Sequence, residues 1–447
     1  MKIDRNTPKT QPLAGTQIKK VGSYTPEQLF KRVVLTNLLW EDSYYQKANE
    51  VQTQMEQLIP QLSQEFIDQT ILQARHEEGL RHTPLFLALE TNHDLLPEIC
   101  TRPDMTIDAL YLWKAKQGSL KPIPKSIKRN LAKCFDRYDN YQIAKYVRKR
   151  QDITLADVVR LTHPSPTEEN KDALHNLVRN NLRAPETWEV RLSRKEDPRK
   201  VFTELISSGK LGGLAFLRNM RNIVNSGVER SVVREGLSRI NSRFLTPMNF
   251  LMAYKYAPAY SKDIEEAMAR SFAGYKIPGT TVIALDTSGS MRAPLSSKSE
   301  VTRLDVGFAL LALSQYIFED PILVLTAGSD RTLVGNHVVI PASGLGVINH
   351  ANTCFSQLGY GGIFTAQLCE WLKDIKSDRL VVISDSQDID YARGRRGLPD
   401  VGRYANKYIM DIAHHTHGVK TNHWSAEING FSDNLFRFIK EFEEITQ

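Results

Sequence analysis

The stretch Val282-Ile283-Ala284-Leu285 runs straight into Asp286-Thr287-Ser288-Gly289-Ser290. Four consecutive apolar residues read as a strand buried on both faces, and the polar turn that follows marks the strand's carboxyl end. Further along, Val306 to Ile317 reads as a helix, Ile322 to Thr326 as a strand, Phe364 to Ile375 as a helix, Leu380 to Ile383 as a strand and Asn434 to Ile445 as a helix. Buried strands alternating with helices predict a doubly wound parallel sheet. In such sheets the functional site lies just outside the carboxyl ends of the strands. Lys276-Ile277-Pro278-Gly279 opens this region, so the expected domains are 1–275 and 276–447.

Two acidic residues stand at those strand ends. Asp286 follows the first strand, and Asp385 follows Val381-Val382-Ile383-Ser384. Between them in sequence, Gly361-Gly362-Ile363-Phe364-Thr365 leads into a helix. Two carboxylates with Ser288, Ser290 and Thr365 make a hard, all-oxygen donor set, the chemistry preferred by a small divalent cation such as Mg2+. In this reading Asp286 orients the site, Ser288 and Ser290 coordinate directly, and Gly289 allows the tight turn between them. The alternative is a hydroxyl-rich turn with an N-capping aspartate.

The D-x-S-x-S run resembles the metal-ion-dependent adhesion site of von Willebrand factor A domains. That family places its threonine directly after the glycine pair or one residue on. Here Ile363 and Phe364 intervene before Thr365.

From about Thr25 to Ala273 the pattern changes to helix after helix. Thr25-Pro26-Glu27-Gln28 carries a cap, a first-turn proline and a capping box, and Phe30, Val33, Val34 and Leu38 follow at helical spacing. Thr154-Leu155-Ala156-Asp157 opens another helix, which His163-Pro164-Ser165-Pro166 ends, because each proline disfavours helix in the residue before it. Thr167 is the expected cap of the next helix, with Leu174, Leu177 and Val178 buried. Paired amphipathic helices joined by short polar turns over some 250 residues suggest an α-solenoid.

Charge separates the two halves. The chain has 447 residues, enough for about two or three domains of roughly 150 residues each, and a net charge of +7. Between Tyr111 and Arg150 twelve basic residues face only Asp136 and Asp139, so forty residues carry +10 and the remaining 407 carry −3. A concentrated basic stripe on a near-neutral body is the electrostatic footprint of a polyanion binder. A solvated helix face is the alternative. Hydrophobic content of 41% and charged content of 24% exclude wholesale disorder and fibrous repeats. There is no run of about 18 apolar residues and no apolar segment at the start. Cys100, Cys134, Cys354 and Cys369 lie far apart. The expectation is a reduced, cytoplasmic protein with neither a membrane span nor a secretory signal.

Three segments of the helical half resemble the TROVE module of the Ro autoantigen family. They are Asp157-Val158-Val159-Arg160-Leu161-Thr162-His163-Pro164-Ser165-Pro166-Thr167, Leu214-Ala215-Phe216-Leu217-Arg218-Asn219-Met220-Arg221-Asn222-Ile223, and Arg243-Phe244-Leu245-Thr246-Pro247 through to Ala253-Tyr254. The resemblance implies an α + α/β chain: a ring of HEAT-like helical repeats, then a von Willebrand factor A-like domain. It implies RNA binding without catalysis. The single-stranded 3′ ends of misfolded noncoding RNAs enter a central hole, and Y RNAs or Y-like RNAs occupy a basic outer surface. Lys145, Arg148, Lys149 and Arg150 match the basic segment of the family's RNA-binding repeats, and His163 stacks on a base or donates to a phosphate. For His163 the alternative is a helix-ending core histidine. Arg218, Asn219, Arg221 and Asn222 carry polar groups in an otherwise apolar helix; half of that pattern is expected to be structural, with Asn and Arg tying adjacent repeats together, and Arg218 and Arg221 are the candidates for RNA contact. Lys121, Lys125, Lys128 and Arg129 form either the outer patch or a solvated face. The expected assembly is a monomer with a bound Mg2+ and a protein partner, such as an exoribonuclease, at the metal site.

Two further clusters carry less. His414, His415, His417 and His423 lack the cysteines or carboxylates that would complete a soft-metal site, and Arg393, Arg395, Arg396 and Arg403 sit in a Gly-rich loop after Asp385. No P-loop, G-x-S-x-G or H-E-x-x-H occurs. A second reading makes the chain a metal-dependent protein-interaction scaffold with RNA incidental. A third, a phosphatase using Asp286 as nucleophile, lacks the second aspartate two positions on, where Ser288 stands.

Overall fold

The computed structural model describes residues 25–36, 55–77, 79–147, 149–150, 152–183, 185–240, 245–274, 276–295, 300–385, 387–389, 404–412, 424–429, 436, 439–440 and 442–444. The chain divides into two compact units. One comprises Thr25–Leu35 with Ser43–Val201, and the other contains Phe202–Gln447.

The first unit is helical. Its helices are α1 (Pro26–Thr36), α2 (Gln64–His76), α3 (His82–Thr91), α4 (Leu96–Ile99), α5 (Pro103–Gln117) and α6 (Lys125–Cys134). They continue as α7 (Asn140–Lys145), α8 (Leu155–Thr162), α9 (Lys171–Val178) and α10 (Trp188–Ser193), with α11 (Pro198–Ser207) crossing the division. Periodicity explains their faces. In α6, Ile127, Leu131 and Cys134 recur at spacings of four and three and are buried, while Lys125, Arg129 and Lys133 are exposed. Each such buried aliphatic side chain contributes about 1.5–3 kcal/mol.

Caps set several starts. The Asp139 side chain and Gln142 close a box at α7. At α8, Thr154 Oγ1 accepts from the Asp157 N–H at 3.2 Å and Asp157 Oδ2 accepts from the Thr154 N–H at 2.9 Å. The next helix departs from expectation. Asn170, not Thr167, precedes α9, and its Oδ1 instead accepts from the Thr167 N–H at 2.8 Å. The side-chain amide of Asn170 donates to Phe135 O at 2.7 Å, so the residue is committed to tying segments together. Val178 ends α9 37% exposed, outside the stripe formed by Ala173, Leu174 and Leu177.

The second unit begins with α12 (Gly213–Arg218), α13 (Met220–Asn225), α14 (Arg230–Ser238), α15 (Pro247–Tyr256) and α16 (Ser261–Phe272). It continues as β3 (Ile277–Asp286), α17 (Arg303–Ile317), β4 (Phe318–Ser329), β5 (Val334–Ile340), α18 (Val347–Leu358), α19 (Thr365–Trp371), β6 (Arg379–Ser384), β7 (Asn406–Asp411) and β8 (Ala426–Asn429). In the helical unit, β1 (Lys149–Arg150) and β2 (Ile153–Thr154) form a separate small hairpin. The helix-to-sheet change thus falls at Ile277, while α12 to α16 belong to the same compact unit as the sheet. Lys255 of α15 forms an ion pair with Asp305 of α17, and Glu265 of α16 accepts from the Leu345 N–H at 2.9 Å.

The six strands run in the order β5-β4-β3-β6-β7-β8. All neighbouring pairs are parallel except β4 with β5, an antiparallel edge that periodicity did not announce. The last six residues of β3 and all of β6 are buried, which accounts for their unbroken apolar runs. Helix α17 lies on this sheet so closely that a Cβ at Gly307 would come within 2.4 Å of Leu285 Cδ1.

Candidate metal centre and basic surfaces

Strand order decides where the acidic residues meet. From β3 the chain crosses to β4 on one side and later returns to β6 on the other, so β3 and β6 flank the point where winding reverses. The register pairs Leu285 with Ile383, leaving Asp286 beside Ser384 and the start of the Asp385 turn. Asp286 is fully buried. Its Oδ1 accepts from the Ser288 N–H at 2.8 Å, and its Oδ2 accepts from the Ser384 hydroxyl at 2.8 Å. The hydroxyls of Ser288 and Ser290 stand 3.2 Å apart. Between them Gly289 donates to Tyr360 O at 3.2 Å, and a Cβ there would come within 2.9 Å of that oxygen, so glycine lets the two loops close.

Asp385 is also fully buried, and Arg303, the first residue of α17, donates to its Oδ2 at 2.8 Å. The same guanidinium reaches Ser290 O at 3.5 Å. A capping box between Thr302 and Asp305 fixes the start of α17 and hence the root of Arg303. Burial, and secondarily the neighbouring Asp385 charge, push the Asp286 carboxyl up from 3.8 to about 7.

Four of the five expected ligands therefore gather: Asp286, Ser288, Ser290 and Asp385. Thr365 is buried as the first residue of α19, carried by the loop that docks through Tyr360, and no hydrogen bond joins it to the other four. The two residues before it are committed to the core: Ile363 and Phe364 are each 1% exposed. The donor chemistry fits a hard divalent cation, with two buried carboxylates, the buried Ser288 hydroxyl and the half-buried Ser290 hydroxyl gathered at the strand ends. Among the described residues no group of three His, Cys, Asp or Glu forms a metal cluster, so any cation here depends on the serine hydroxyls. Arg303 and Ser384 were missed at the sequence level. The signal for Arg303 was its position directly after the cap Thr302.

The basic residues form separate local surfaces. On α6, Lys125 and Arg129 are exposed and Lys128 is half-buried, and Arg129 pairs with Asp94 at 3.3 Å. Lys114 pairs with Asp152 at 2.5 Å and Lys116 with Glu90, so part of the stripe is neutralised where it stands. Lys145 is exposed at the end of α7, its ammonium 5.5 Å from the Tyr141 ring centroid and 5.6 Å from that of Tyr146. The Arg102 guanidinium lies 5.2 Å from the Tyr146 ring as well. This cation–aromatic cluster was not anticipated, although Tyr141-Gln142-Ile143-Ala144-Lys145-Tyr146 places the rings around the lysine. Lys149 and Arg150 form β1, paired with Thr154 and Ile153 respectively. Arg148, the arginines at 393, 395, 396 and 403, and the histidines at 414, 415, 417 and 423 lie outside the described residues.

His163 is exposed, not a core histidine. It caps the C-terminus of α8 with φ 50° and ψ 59°, its N–H donating to Val159 O at 2.9 Å. Left-handed backbone is uncommon outside glycine and costs of order 1–3 kcal/mol, and it clusters at functional sites. In the other unit Arg218 is exposed, and the Arg221 guanidinium lies 3.6 Å from the Tyr256 ring centroid. Asn219 is buried, donating to Ala215 O at 2.8 Å and accepting from Asn222 at 3.2 Å, so both bonds stay within four residues of the chain and differ from the expected tie between repeats.

Comparison with known proteins bears on both regions. The TROVE domain matches residues 172–256. Telomerase protein component 1 of Mus musculus is 34% identical over 159 residues, which is 33% of this chain and 6% of that protein. The Rattus norvegicus protein of the same name is 37% identical over 109 residues, 23% of this chain and 4% of its own. The chain therefore spans only a small fraction of these relatives. The crystal structure of the Deinococcus radiodurans RO (RSR) protein is similar with a TM-score of 0.56 at 15% identity, over 94% of this chain and 99% of that one. Residues 172–256 thus match a TROVE domain, and over nearly its whole length the chain has a fold similar to that of the Deinococcus radiodurans RO (RSR) protein.

Proposed function

We propose that this chain binds noncoding RNA without cleaving it, taking single-stranded ends of misfolded RNAs in a central channel and Y-like small RNAs on a basic outer surface. The observation that carries this reading is the cluster at the end of α7, where Lys145, from the segment of net charge +10, and Arg102, from outside it, both lie within 6 Å of the Tyr146 ring centroid, at 5.6 and 5.2 Å. Aromatic faces stack bases and neighbouring cations hold the backbone, a combination suited to single strands. Exposed His163 on its left-handed cap is a further candidate for such contacts. Residues 1–275 carry this activity in the cytoplasm, in a monomer. The test is fluorescence anisotropy with a tailed RNA and its blunt counterpart across a salt series. The tailed RNA should bind more tightly, with log affinity falling against log salt by about 0.7 per phosphate contact, and should be recovered intact. Equal binding of both RNAs, or no salt dependence, overturns the reading.

The buried oxygen cluster favours a second activity. Residues 276–447 would hold Mg2+ through Asp286, Ser288, Ser290, Asp385 and Thr365 and offer its free coordination position to a carboxylate of a protein partner such as an exoribonuclease. The bound ion supplies a positive charge for that acidic group, and Asp286 orients the hydroxyls around it. Asp286→Ala should abolish the partner complex while RNA affinity is unchanged. Pull-downs that retain the partner would refute this.

A further inference from the structure

Two carboxylates, Asp286 and Asp385, are both fully buried at the ends of adjacent strands. Such a pair needs a positive charge beside it, because buried like charges are otherwise driven to protonate. The chain already provides one. Arg303 is rooted at the first turn of α17 by the Thr302–Asp305 box, its side chain is only 17% exposed, and it bonds Asp385 Oδ2 at 2.8 Å. Its second contact, Ser290 O at 3.5 Å, belongs to a residue expected to coordinate the ion. The guanidinium therefore bridges Asp385 and the main chain of Ser290, next to the residues expected to hold the ion. A divalent ion entering there would meet a fixed cation at close range, in surroundings where water screens little.

We propose that Arg303 is an internal counter-cation that holds the Asp286–Asp385 pocket in a metal-free closed state and must withdraw before a divalent ion binds. Guanidinium and ion are alternatives, and Arg303 sets the affinity of the site. The proposal rests on the reading of this pocket as a divalent-cation site.

The decisive comparison is full-length wild type against Arg303→Met and Arg303→Gln, titrated with Mn2+ alone by calorimetry, with melting temperature followed in EDTA and in excess Mg2+. Both variants should bind Mn2+ at least about tenfold more tightly than wild type, as a unit positive charge is removed from the ion's neighbourhood. In EDTA both should melt below wild type, and Mg2+ should restore them while leaving wild type nearly unmoved. Adding Asp385→Asn to either variant should abolish the gain. Equal Mn2+ affinity in wild type and both variants overturns the role of Arg303 and leaves the metal site standing. Absence of binding in all three at millimolar Mn2+ overturns both. If Arg303→Met does not fold, Arg303→Gln, which keeps a donor for Asp385, is read by the same criteria.

Discussion

Asp286→Asn should stabilise the protein, and do so only above mildly acidic pH. Asp286 is fully buried and its carboxyl titrates near 7 in the fold against 3.8 as its ordinary value. Protonation is thus favoured in the folded state. Below about pH 4 both states carry the proton and the group contributes nothing. Between about 4 and 7 the unfolded chain ionises while the folded one does not, so folding stability falls as pH rises. Above 7 the folded state ionises too and the loss levels off. At 1.36 kcal/mol per pH unit, the gap between 3.8 and about 7 corresponds to a loss of about 4 kcal/mol. Asparagine keeps the geometry: its oxygen can accept from the Ser288 N–H, and its amide can donate to the Ser384 hydroxyl, which today donates to Asp286. The assay is urea denaturation of wild type and variant in EDTA at several pH values between 4 and 8.5. The variant's advantage should be small at pH 4 and approach about 4 kcal/mol at pH 8. An advantage independent of pH would mean that Asp286 does not titrate in this window and that the desolvation argument fails.

Gly307→Ala drives a Cβ to within 2.4 Å of Leu285 Cδ1 and should cost about 1–3 kcal/mol, read as a lower urea midpoint. Tyr146→Ala and Lys145→Ala should each weaken a tailed RNA by about 1–3 kcal/mol in anisotropy, with the melting temperature little changed. His163→Gly should leave stability equal or improved, since glycine adopts φ 50° freely, yet reduce RNA affinity as His163→Ala does. Glu443→Ala removes the carboxylate that holds the buried Arg379 at 2.5 Å, leaving its charge unpaired, with the neutral acceptors Thr281 Oγ1 and Pro278 O, and should cost about 3–5 kcal/mol in chemical denaturation.

Much of the α/β region was legible because burial on both faces leaves little freedom of composition. β3, β4, β6 and α17 each appear as an uninterrupted or periodic apolar run, and Asp286 and Asp385 announce themselves by following such runs. β5 did not announce itself. Its position at the edge leaves Val334 and Val339 about half exposed, so its sequence, Val-Gly-Asn-His-Val-Val-Ile, reads as neither a buried strand nor a clean alternation. Thr167 was a plausible cap by type, but capping depends on which residue precedes the first turn, and Asn170 stands there with its amide held by Phe135. The outward placement of His163 likewise depends on a backbone dihedral that residue type alone does not specify.

Charge partners show the deepest limit of a one-dimensional reading. A strand end can be located from the strand itself, but the pairing of Arg303 with Asp385 spans 82 residues and two elements, and its existence depends on β6 returning beside β3. Once that adjacency is known, the electrostatics are nearly forced. Two buried carboxylates share a pocket, Arg303 is the cation bonded to one of them, and the other is pushed toward neutrality, as the rise of Asp286 to about 7 records. On the proposed reading the site is already half compensated before any ion arrives, and the affinity would be governed as much by Arg303 as by the oxygens. On that reading, ligand residues counted from the D-x-S-x-S motif alone would overstate affinity for a divalent ion, and the Arg303 variants separate the two contributions.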